Sequence, residues 1–311
     1  MTQSDSNLHA DVLTRKNLLI FTGFLGILLI SATYIFGWYV LAIAAVSYAV
    51  SVTIELIFAK IRKKKLDMSW MVTPLVFALL MPPTAPLWMV AIGSGFGIFF
   101  GKSIFGGLGK TVFNPALVGV LFVQISFPAF MATMWLDPVS DLVSAVTPLI
   151  TLSKGLPFNY TLPNLLYGLV PGTLGETFRL GIIILGLGLI VLKIADWRIP
   201  LFFIGSVFLL TWIGHLINPV TFKDPILSVF TGGIMFGAFF VATDPVTAPS
   251  KSIGKMLYGF GIGFITVLIR NFAAFPEGVT FSIIIMNAVS PLIDNWNNKE
   301  TAPIEKEVVT V

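Results

Sequence analysis

The chain has 311 residues, of which 56% are hydrophobic and only 11% are charged, and its mean hydropathy is +0.92. A soluble domain of this length carries about a quarter charged residues, so the composition predicts an integral membrane protein. The net charge is +4, but the basic residues are spread over short connectors, which argues against a nucleic-acid-binding surface. The absence of cysteine excludes disulfides and cysteine-ligated iron–sulfur clusters within the chain.

In chain order, the apolar segments predict ten membrane-spanning helices. The charge-free stretch 17–54 is long enough for two spans, and an uncleaved first span follows the polar N-terminal residues. The stretch 68–100 is interrupted by paired prolines in Met81–Pro86, which predicts two spans or one span and a re-entrant piece. The remaining spans are predicted over 113–134, 180–192, 200–217, 226–242, 256–271 and 279–293.

The basic residues set the predicted orientation, because short cytoplasmic loops are enriched in Lys and Arg. If Arg15 and Lys16 are cytoplasmic, ten spans also place the basic cluster 60–65 and the C-terminal tail in the cytoplasm. The longest connector then lies outside, and its only basic residues are Lys154 and Arg179. Both termini are therefore predicted to be cytoplasmic.

The two halves of the chain resemble each other. The stretches Met81–Pro86 and Asp244–Pro249 both combine Pro with Thr, and each precedes a glycine-rich span. Because the equivalent spans run in opposite directions, the pattern predicts an inverted five-plus-five repeat. The predicted parts are a cytoplasmic tail, a first five-helix half, an extracytoplasmic loop, a second five-helix half and a cytoplasmic tail, over 1–16, 17–134, 135–179, 180–294 and 295–311.

Polar residues in apolar spans are candidates for function, because they are costly within a membrane. Asp244 lies where a proline ends a span. With Thr243 and Thr247, it either caps a helix or helps to bind a cation or cofactor. Asn114 precedes Pro115 and either caps the following helix or contacts a ligand.

Other polar residues favour simpler interpretations. Glu55 lies close to the basic residue Lys60, which favours an acid at the membrane interface over a functional one. Arg270 and Glu277 are predicted to be boundary residues or an ion pair. Two glycine-rich runs predict either close helix packing or a slot for a flat ring. They contain Gly93, Gly95, Gly97, Gly259, Gly261 and Gly263.

Three longer stretches carry a family resemblance. The stretches Gly101–Pro128, Val241–Pro249 and Phe275–Asp294 together resemble the D subunit of the Rnf electron-transport complex. The B subunit of the sodium-pumping NADH:quinone oxidoreductase is a longer relative of the same family. The resemblance covers about residues 17–296, and the length of the chain favours the Rnf member. It implies an all-α membrane fold of two inverted five-helix halves, similar to urea and ammonium channels.

The resemblance also implies a covalent cofactor. In this family a flavin transferase joins FMN, through a phosphoester, to the threonine of a motif Asp-x-x-Ser/Thr-x-Ala-Thr. The stretch "DLVSAVT" places Asp141, Ser144 and Thr147 on the matching positions, with Val146 in place of the usual alanine. Thr147 is expected on an accessible outer loop. A second, noncovalent flavin, such as riboflavin, is expected among the helices near the glycine-rich spans and Asp244, with Thr243 and Asn114 as further candidates for binding it.

The function implied by the resemblance is electron relay within a complex. The chain would be a membrane subunit of a ferredoxin:NAD+ oxidoreductase that moves Na+ or H+, in the bacterial inner membrane, and it would not be catalytic alone or hold a metal. Its partners would be the other Rnf subunits (A, B, C, E and G), a flavin transferase and membrane lipid, but no nucleic acid. The alternatives are a component of the quinone-reducing pump and a passive urea- or ammonium-type channel.

Overall fold

The structure is a computed structural model that describes residues 13–144, 146–273 and 277–301. In chain order its helices are α1 (Arg15–Phe36), α2 (Tyr39–Ile61), α3 (Thr73–Leu79), α4 (Leu87–Ile98), α5 (Pro115–Ser126), α6 (Pro128–Thr133), α7 (Pro148–Ser153), α8 (Leu162–Tyr167), α9 (Arg179–Val191), α10 (Arg198–Ile217), α11 (Pro225–Phe230), α12 (Ile234–Phe236), α13 (Ser252–Phe272) and α14 (Val279–Thr301). Strands β1 (Trp135–Leu136) and β2 (Val143–Ser144) pair antiparallel. A 3-10 helix covers Met68–Met71, and π-helical segments cover Phe99–Ser103 and Gly237–Val241.

The described residues form an all-α membrane protein. Among them, α1, α2, α10 and α13 are long and apolar enough to cross a membrane, and several shorter apolar helices accompany them. The spans predicted over 200–217 and 256–271 correspond to α10 and α13. The single span predicted over 113–134 is wrong, because the helix stops at Ser126 and a second helix begins at Pro128. Proline has no N–H to continue the preceding helix.

Local chemistry sets the helix ends. α1 follows Thr14, whose hydroxyl accepts a hydrogen bond from the N–H of Asn17 at 3.3 Å, as expected of a helix cap. It ends at Gly37, whose φ of +89° suits glycine. Later helices start at proline: Pro86 immediately precedes α4, and Pro115 is the first residue of α5.

A first interruption separates α3 from α4, at residues 80–86. The long connector that precedes α9 donates hydrogen bonds to backbone carbonyl groups at this interruption. The N–H of Gly175 donates to the carbonyl of Leu79 at 2.6 Å, and the N–H of Leu174 donates to that of Met81 at 3.1 Å. Non-helical backbone at membrane depth needs such partners within the protein.

A second interruption, at residues 242–251, separates the second π-helical segment from α13. Here side chains supply the partners. The N–H of Ser250 donates to the carboxylate of Asp294 at 3.1 Å. Just beyond the interruption, Lys255 pairs with Asp196 at 2.9 Å, which ties the start of α13 to the connector between α9 and α10. Burial alone would raise the pKa of Asp196, but Lys255 and Arg198 hold it below its ordinary value.

Glycines allow the helices to approach closely. A Cβ atom added at Gly97 of α4 would lie 2.5 Å from the carbonyl oxygen of Pro115 in α5. One added at Gly259 of α13 would lie 2.7 Å from the carbonyl oxygen of Ile199 in α10. Close packing is therefore confirmed at these glycines. The alternative of a slot for a flat ring is wrong there, because the neighbouring backbone already occupies the space.

The same kinds of helix pairs meet in the two halves. In the first half, α2 packs against α3 and α4, and α4 packs against α5. In the second half, α10 packs against α11 and α13, and α13 packs against α14. In each half, the third apolar segment in chain order is the one that ends at an interruption.

Candidate functional site

Asn114 lies at the start of α5 and performs both of the roles that the sequence left open. Its Oδ1 accepts hydrogen bonds from the N–H groups of Ala116 at 3.0 Å and Leu117 at 3.4 Å. Its Nδ2 donates to Oδ2 of Asp244 at 3.3 Å, although 130 residues separate the two. The helix cap therefore also ties α5 to the second interruption.

Asp244 is equally a local cap and a long-range partner. Its Oδ1 accepts a hydrogen bond from the N–H of Val246 at 3.0 Å, which closes a tight turn within the second interruption. The neighbouring Thr243 donates its hydroxyl to the carbonyl of Phe239 at 2.8 Å, one turn back. Both side chains are thus already partnered, and they hold the end of the second π-helical segment in place.

Two further buried polar residues, which the sequence did not single out, extend this network. The N–H of Asn114 donates to Oδ1 of Asn287 at 3.1 Å, and Nδ2 of Asn287 donates to the hydroxyl of Tyr258 at 2.6 Å. Asn287 is 1% exposed and Tyr258 is fully buried. The only sequence signal was an asparagine inside the apolar run of α14, and such groups are costly unless they are paired.

The first candidate site, the inner cavity, is the space of about 100 Å³ beside this network. Its wall includes Lys102, Asn114, Phe240, Thr243 and Asp244. Lys102 belongs to one π-helical segment and Phe240 to the other. Turns of π-helix are rare and occur frequently at functional sites. The inner cavity therefore brings together three of the predicted site residues, Asn114, Thr243 and Asp244.

Lys102 is buried at the edge of the inner cavity. Its Nζ lies 2.6 Å from Oε1 of Glu55 and 3.1 Å from Oδ1 of Asp67. The interpretation of Glu55 as an interfacial acid is wrong, because the residue is 6% exposed and its partner is Lys102. Burial alone would raise the pKa of Asp67, but Lys102 and the hydroxyl of Ser69 hold it below its ordinary value. A cation and two carboxylates thus form a compact charged cluster.

The predicted flavin-attachment motif lies in and after a short hairpin. Trp135 pairs with Ser144 in the register of β1 and β2. Asp141 is exposed in the hairpin turn and has a φ of +55°. Thr147 precedes α7 and caps it, since its hydroxyl accepts a hydrogen bond from the N–H of Ile150 at 3.3 Å. The expectation of an accessible threonine is wrong, because Thr147 is only 7% exposed.

The second candidate site is a cavity lined by Thr147, called the Thr147 cavity below. It is a space of about 260 Å³, and its wall includes Thr147, Gln124, Trp135, Glu176 and Glu277. Within the described residues, Oε1 of Gln124 and Nε1 of Trp135 are buried and have no hydrogen-bond partner. An unpaired buried polar group costs about 1–3 kcal/mol. The two atoms therefore mark a place where a polar ligand or water belongs.

Two acids line the Thr147 cavity, Glu176 and Glu277, and each lies near an arginine. Arg270 and Glu277 form the predicted ion pair, with Nη2 and Oε2 separated by 3.5 Å. Glu176 and Arg179, which sequence reasoning did not select, are both buried. Burial, and next the negative charge of Glu277, raise the pKa of Glu176 to about 7 against the opposing effect of Arg179. The one signal in the sequence was an acid and a base three residues apart, after the uncharged stretch 155–175.

These features define a class of protein: a multi-pass helical membrane protein whose buried polar sites lie at interruptions of its helices. Comparison with known proteins narrows the class. The chain belongs to the NQR2, RnfD, RnfE family, whose model matches residues 1–302.

Named relatives have similar lengths or are longer. The chain is 35% identical to the D subunit of the ion-translocating oxidoreductase complex of Alcanivorax borkumensis, over 86% of each chain. It is 36% identical to the D subunit of the Na(+)-translocating ferredoxin:NAD(+) oxidoreductase complex of Acetobacterium woodii, over 88% of this chain and 86% of that one. It is 40% identical to the B subunit of the Na(+)-translocating NADH-quinone reductase of Ectopseudomonas mendocina, over 83% of this chain and 66% of that one.

Proposed function

We propose that this chain is the membrane-embedded D subunit of an ion-translocating ferredoxin:NAD+ oxidoreductase. The observation that carries the proposal is coverage: the match extends over 86% of two relatives that are named as D subunits, but over only 66% of the B subunit of the quinone reductase. The second candidate is a component of a quinone-reducing pump, which the 40% identity to that B subunit favours. In the first candidate the partners of the chain are the other Rnf subunits, a flavin transferase and membrane lipid.

An activity assay separates the two candidates. The native complex that contains this chain is purified, and its electron acceptors are compared. Reduction of NAD+ by reduced ferredoxin, without reduction of quinone by NADH, would support the first candidate. The opposite pattern would exclude it in favour of the quinone-reducing pump.

The Thr147 cavity suits FMN bound to Thr147 through a phosphoester. Thr147 lines the cavity, and the cavity volume of about 260 Å³ is close to the lower limit of ligand sites, about 300 Å³. The unpaired Nε1 of Trp135 is a donor and the unpaired Oε1 of Gln124 an acceptor. A flavin ring offers both carbonyl oxygens and an N–H along its polar edge. Bound there, it would supply reversible electron transfer.

The protein's own residues position and shield this site. The cap that Thr147 forms on α7 fixes the direction of its side chain. The exposed turn at Asp141 is available to a modifying enzyme, and Ser144 lies in the paired strand between that turn and the acceptor. Val146, beside the acceptor, is exposed. In this proposal the hairpin presents the motif, and the cavity walls keep water from the attached group.

Mass spectrometry of the native complex tests the attachment. The peptide that contains Thr147 is expected to carry one FMN, and Thr147→Val is expected to remove the added mass. Thr151→Val is a matched control, because Thr151 is a buried threonine one turn further along α7. An unmodified Thr147 peptide from the assembled complex would refute the proposal.

A second, noncovalent flavin near Asn114, Thr243 and Asp244 stays a prediction. The inner cavity measures about 100 Å³, well below the roughly 300–1,000 Å³ of ligand sites, so a flavin ring does not fit it without movement of its walls. Purified complex carrying Thr147→Val is expected to retain extractable flavin on this chain if the second site exists. Loss of all flavin from the isolated variant subunit would contradict it.

The same proposal includes ten spans in two inverted halves, with both termini cytoplasmic, in the inner membrane of a bacterium. The recurrence of helix pairs in the two halves supports it. Because the chain has no cysteine, single cysteines report topology directly. Ser140→Cys, in the exposed hairpin turn, is expected to react with an impermeant maleimide from outside the cell, and Lys64→Cys only after lysis. The reverse pattern would invert the topology.

A further inference from the structure

The Thr147 cavity contains a titratable group that the attachment motif does not use. Glu176 lies in the connector before α9 and is buried, yet its side chain reaches the same cavity wall as Thr147. A Cβ atom added at Gly233 would lie 3.5 Å from Oε2 of Glu176 and 3.9 Å from Oε1 of Glu277. The two carboxyl groups therefore converge on one glycine at the edge of the cavity.

The nearby arginines do not neutralise Glu176 directly. The guanidinium of Arg179 donates to the carbonyl oxygens of Leu165 at 3.0 Å and Thr177 at 3.2 Å. The guanidinium of Arg270 is the ion-pair partner of Glu277. Among the described residues, Glu176 forms no ion pair of its own.

Arg270 is also bound by backbone groups. It donates to the carbonyl oxygens of Ser228 at 2.8 Å and Thr231 at 3.1 Å, which anchor it to α11. Glu176 thus has one negative neighbour and two cations that are bound elsewhere. A buried carboxyl group in this situation favours its neutral form, because an unpaired buried charge is costly.

We propose that Glu176 is a proton-binding site linked to the charge of the Thr147 cavity. At a pH where Glu176 is ionised before the electron arrives, one electron that reaches the group on Thr147 adds one negative charge to the cavity, and one proton taken by a carboxylate oxygen of Glu176 restores the balance. The electron comes from the electron-transfer chain of the complex, and the proton comes from water on the same face of the protein. When the electron leaves, the proton leaves with it.

This inference rests on the proposed attachment of FMN, so its first test does not require the flavin. Infrared spectra of the complex are compared for Thr147→Val with and without Glu176→Gln. A band of a protonated carboxyl group is expected in the first variant near neutral pH and is expected to be lost in the second. A band that Glu176→Gln leaves unchanged, or no such band at all, would refute the inference while the flavin assignment stands.

Two further variants sharpen the infrared test. Glu277→Gln is expected to keep the band but to lower the pH at which it disappears, because a negative neighbour is removed. Thr151→Val removes a buried polar group that is not titratable, one turn along α7 from Thr147, and it is expected to leave that pH unchanged. If Glu176→Gln does not assemble, the test is a pH titration of the carboxyl band in the Thr147→Val protein. Its band must disappear on titration from about pH 5 to about pH 9.

The second test measures the potential of the bound flavin against pH. With one proton taken up per electron, the midpoint potential falls by about 59 mV for each ten-fold decrease in proton concentration. Glu176→Gln is expected to flatten this slope within the range where the wild type titrates, and Thr151→Val is expected to retain it. An unchanged slope in Glu176→Gln would show that Glu176 has only a structural role.

Discussion

The buried pair of Lys102 and Glu55 supports a quantitative prediction of stability. Lys102 is 2% exposed, and its Nζ lies 2.6 Å from Oε1 of Glu55. Lys102→Met keeps the aliphatic stem but removes the charge, which leaves Glu55 buried without its cation. The loss of one partner from a buried ion pair costs about 3–5 kcal/mol. Lys102→Met should therefore lower the free energy of unfolding by about that amount.

The double variant Lys102→Met/Glu55→Leu should regain a large part of this loss. Replacement of a buried ion pair by apolar residues of similar volume is often close to neutral. Asp67 also loses its contact with Lys102, but its side chain is 32% exposed and can be solvated by water. We therefore expect a coupling energy of about 2–3 kcal/mol, in the upper range for residues in contact.

Unfolding of the purified protein in mixed micelles, followed as the fraction of SDS increases, measures both quantities. Lys64→Met is the matched control, because Lys64 is an exposed lysine in the nearby basic cluster and should change stability by less than about 0.5 kcal/mol. Losses that simply add in the double variant would refute the reasoning. So would a loss for Lys102→Met as small as that of the control.

Three further predictions use the same unfolding assay. Gly97→Ala should lower the free energy of unfolding by about 1–3 kcal/mol, because its Cβ would lie 2.5 Å from a carbonyl oxygen. Gly205→Ala meets no atom within 4 Å and should be neutral or stabilising. Equal effects of the two variants would contradict close packing at Gly97. Asn114→Ala should cost about 0.5–2 kcal/mol through the lost cap, and an unchanged stability would show that the cap contributes nothing. The pKa of Asp196 is lowered in the folded protein, so its charge stabilises the wild type above about pH 4 and this stabilisation is lost as the pH falls further. Asp196→Asn should remove it. A difference in free energy of unfolding between wild type and variant that stays constant across pH would exclude this linkage.

The positions of the long helices could be predicted, because each is an uninterrupted apolar run bounded by residues that stop helices. Gly37 separates α1 from α2, and the prolines of Met81–Pro86 mark the first interruption. The break at Phe127 was missed, because a single proline within an apolar run is compatible with a kinked helix. The sequence could not decide between the two, since the choice depends on packing around α6.

The partners of the buried polar residues could not be predicted. Glu55 was predicted to be an interfacial acid near Lys60 in the chain, but five positions on a helix place two side chains on different faces. Its actual partner, Lys102, is 47 residues away. Asn114 and Asp244 were each singled out correctly as polar groups within apolar segments, but their contact joins the two halves of the chain. Such contacts are a property of the packed helices, which no local pattern contains.

The two interruptions differ in the groups that satisfy them, and this difference bears on function. In the first, the backbone N–H groups of Leu174 and Gly175 donate to the carbonyls of Met81 and Leu79, so a main-chain contact brings the next residue, Glu176, into the protein. In the second, the partners are side chains, Asn114 and Asp294. Substitution can therefore abolish the polar network of the inner cavity one group at a time. The segment that carries Glu176 to the Thr147 cavity is instead attached by backbone hydrogen bonds, which do not depend on the charge of Glu176. A group that must gain and lose a proton without moving is best placed on such a support.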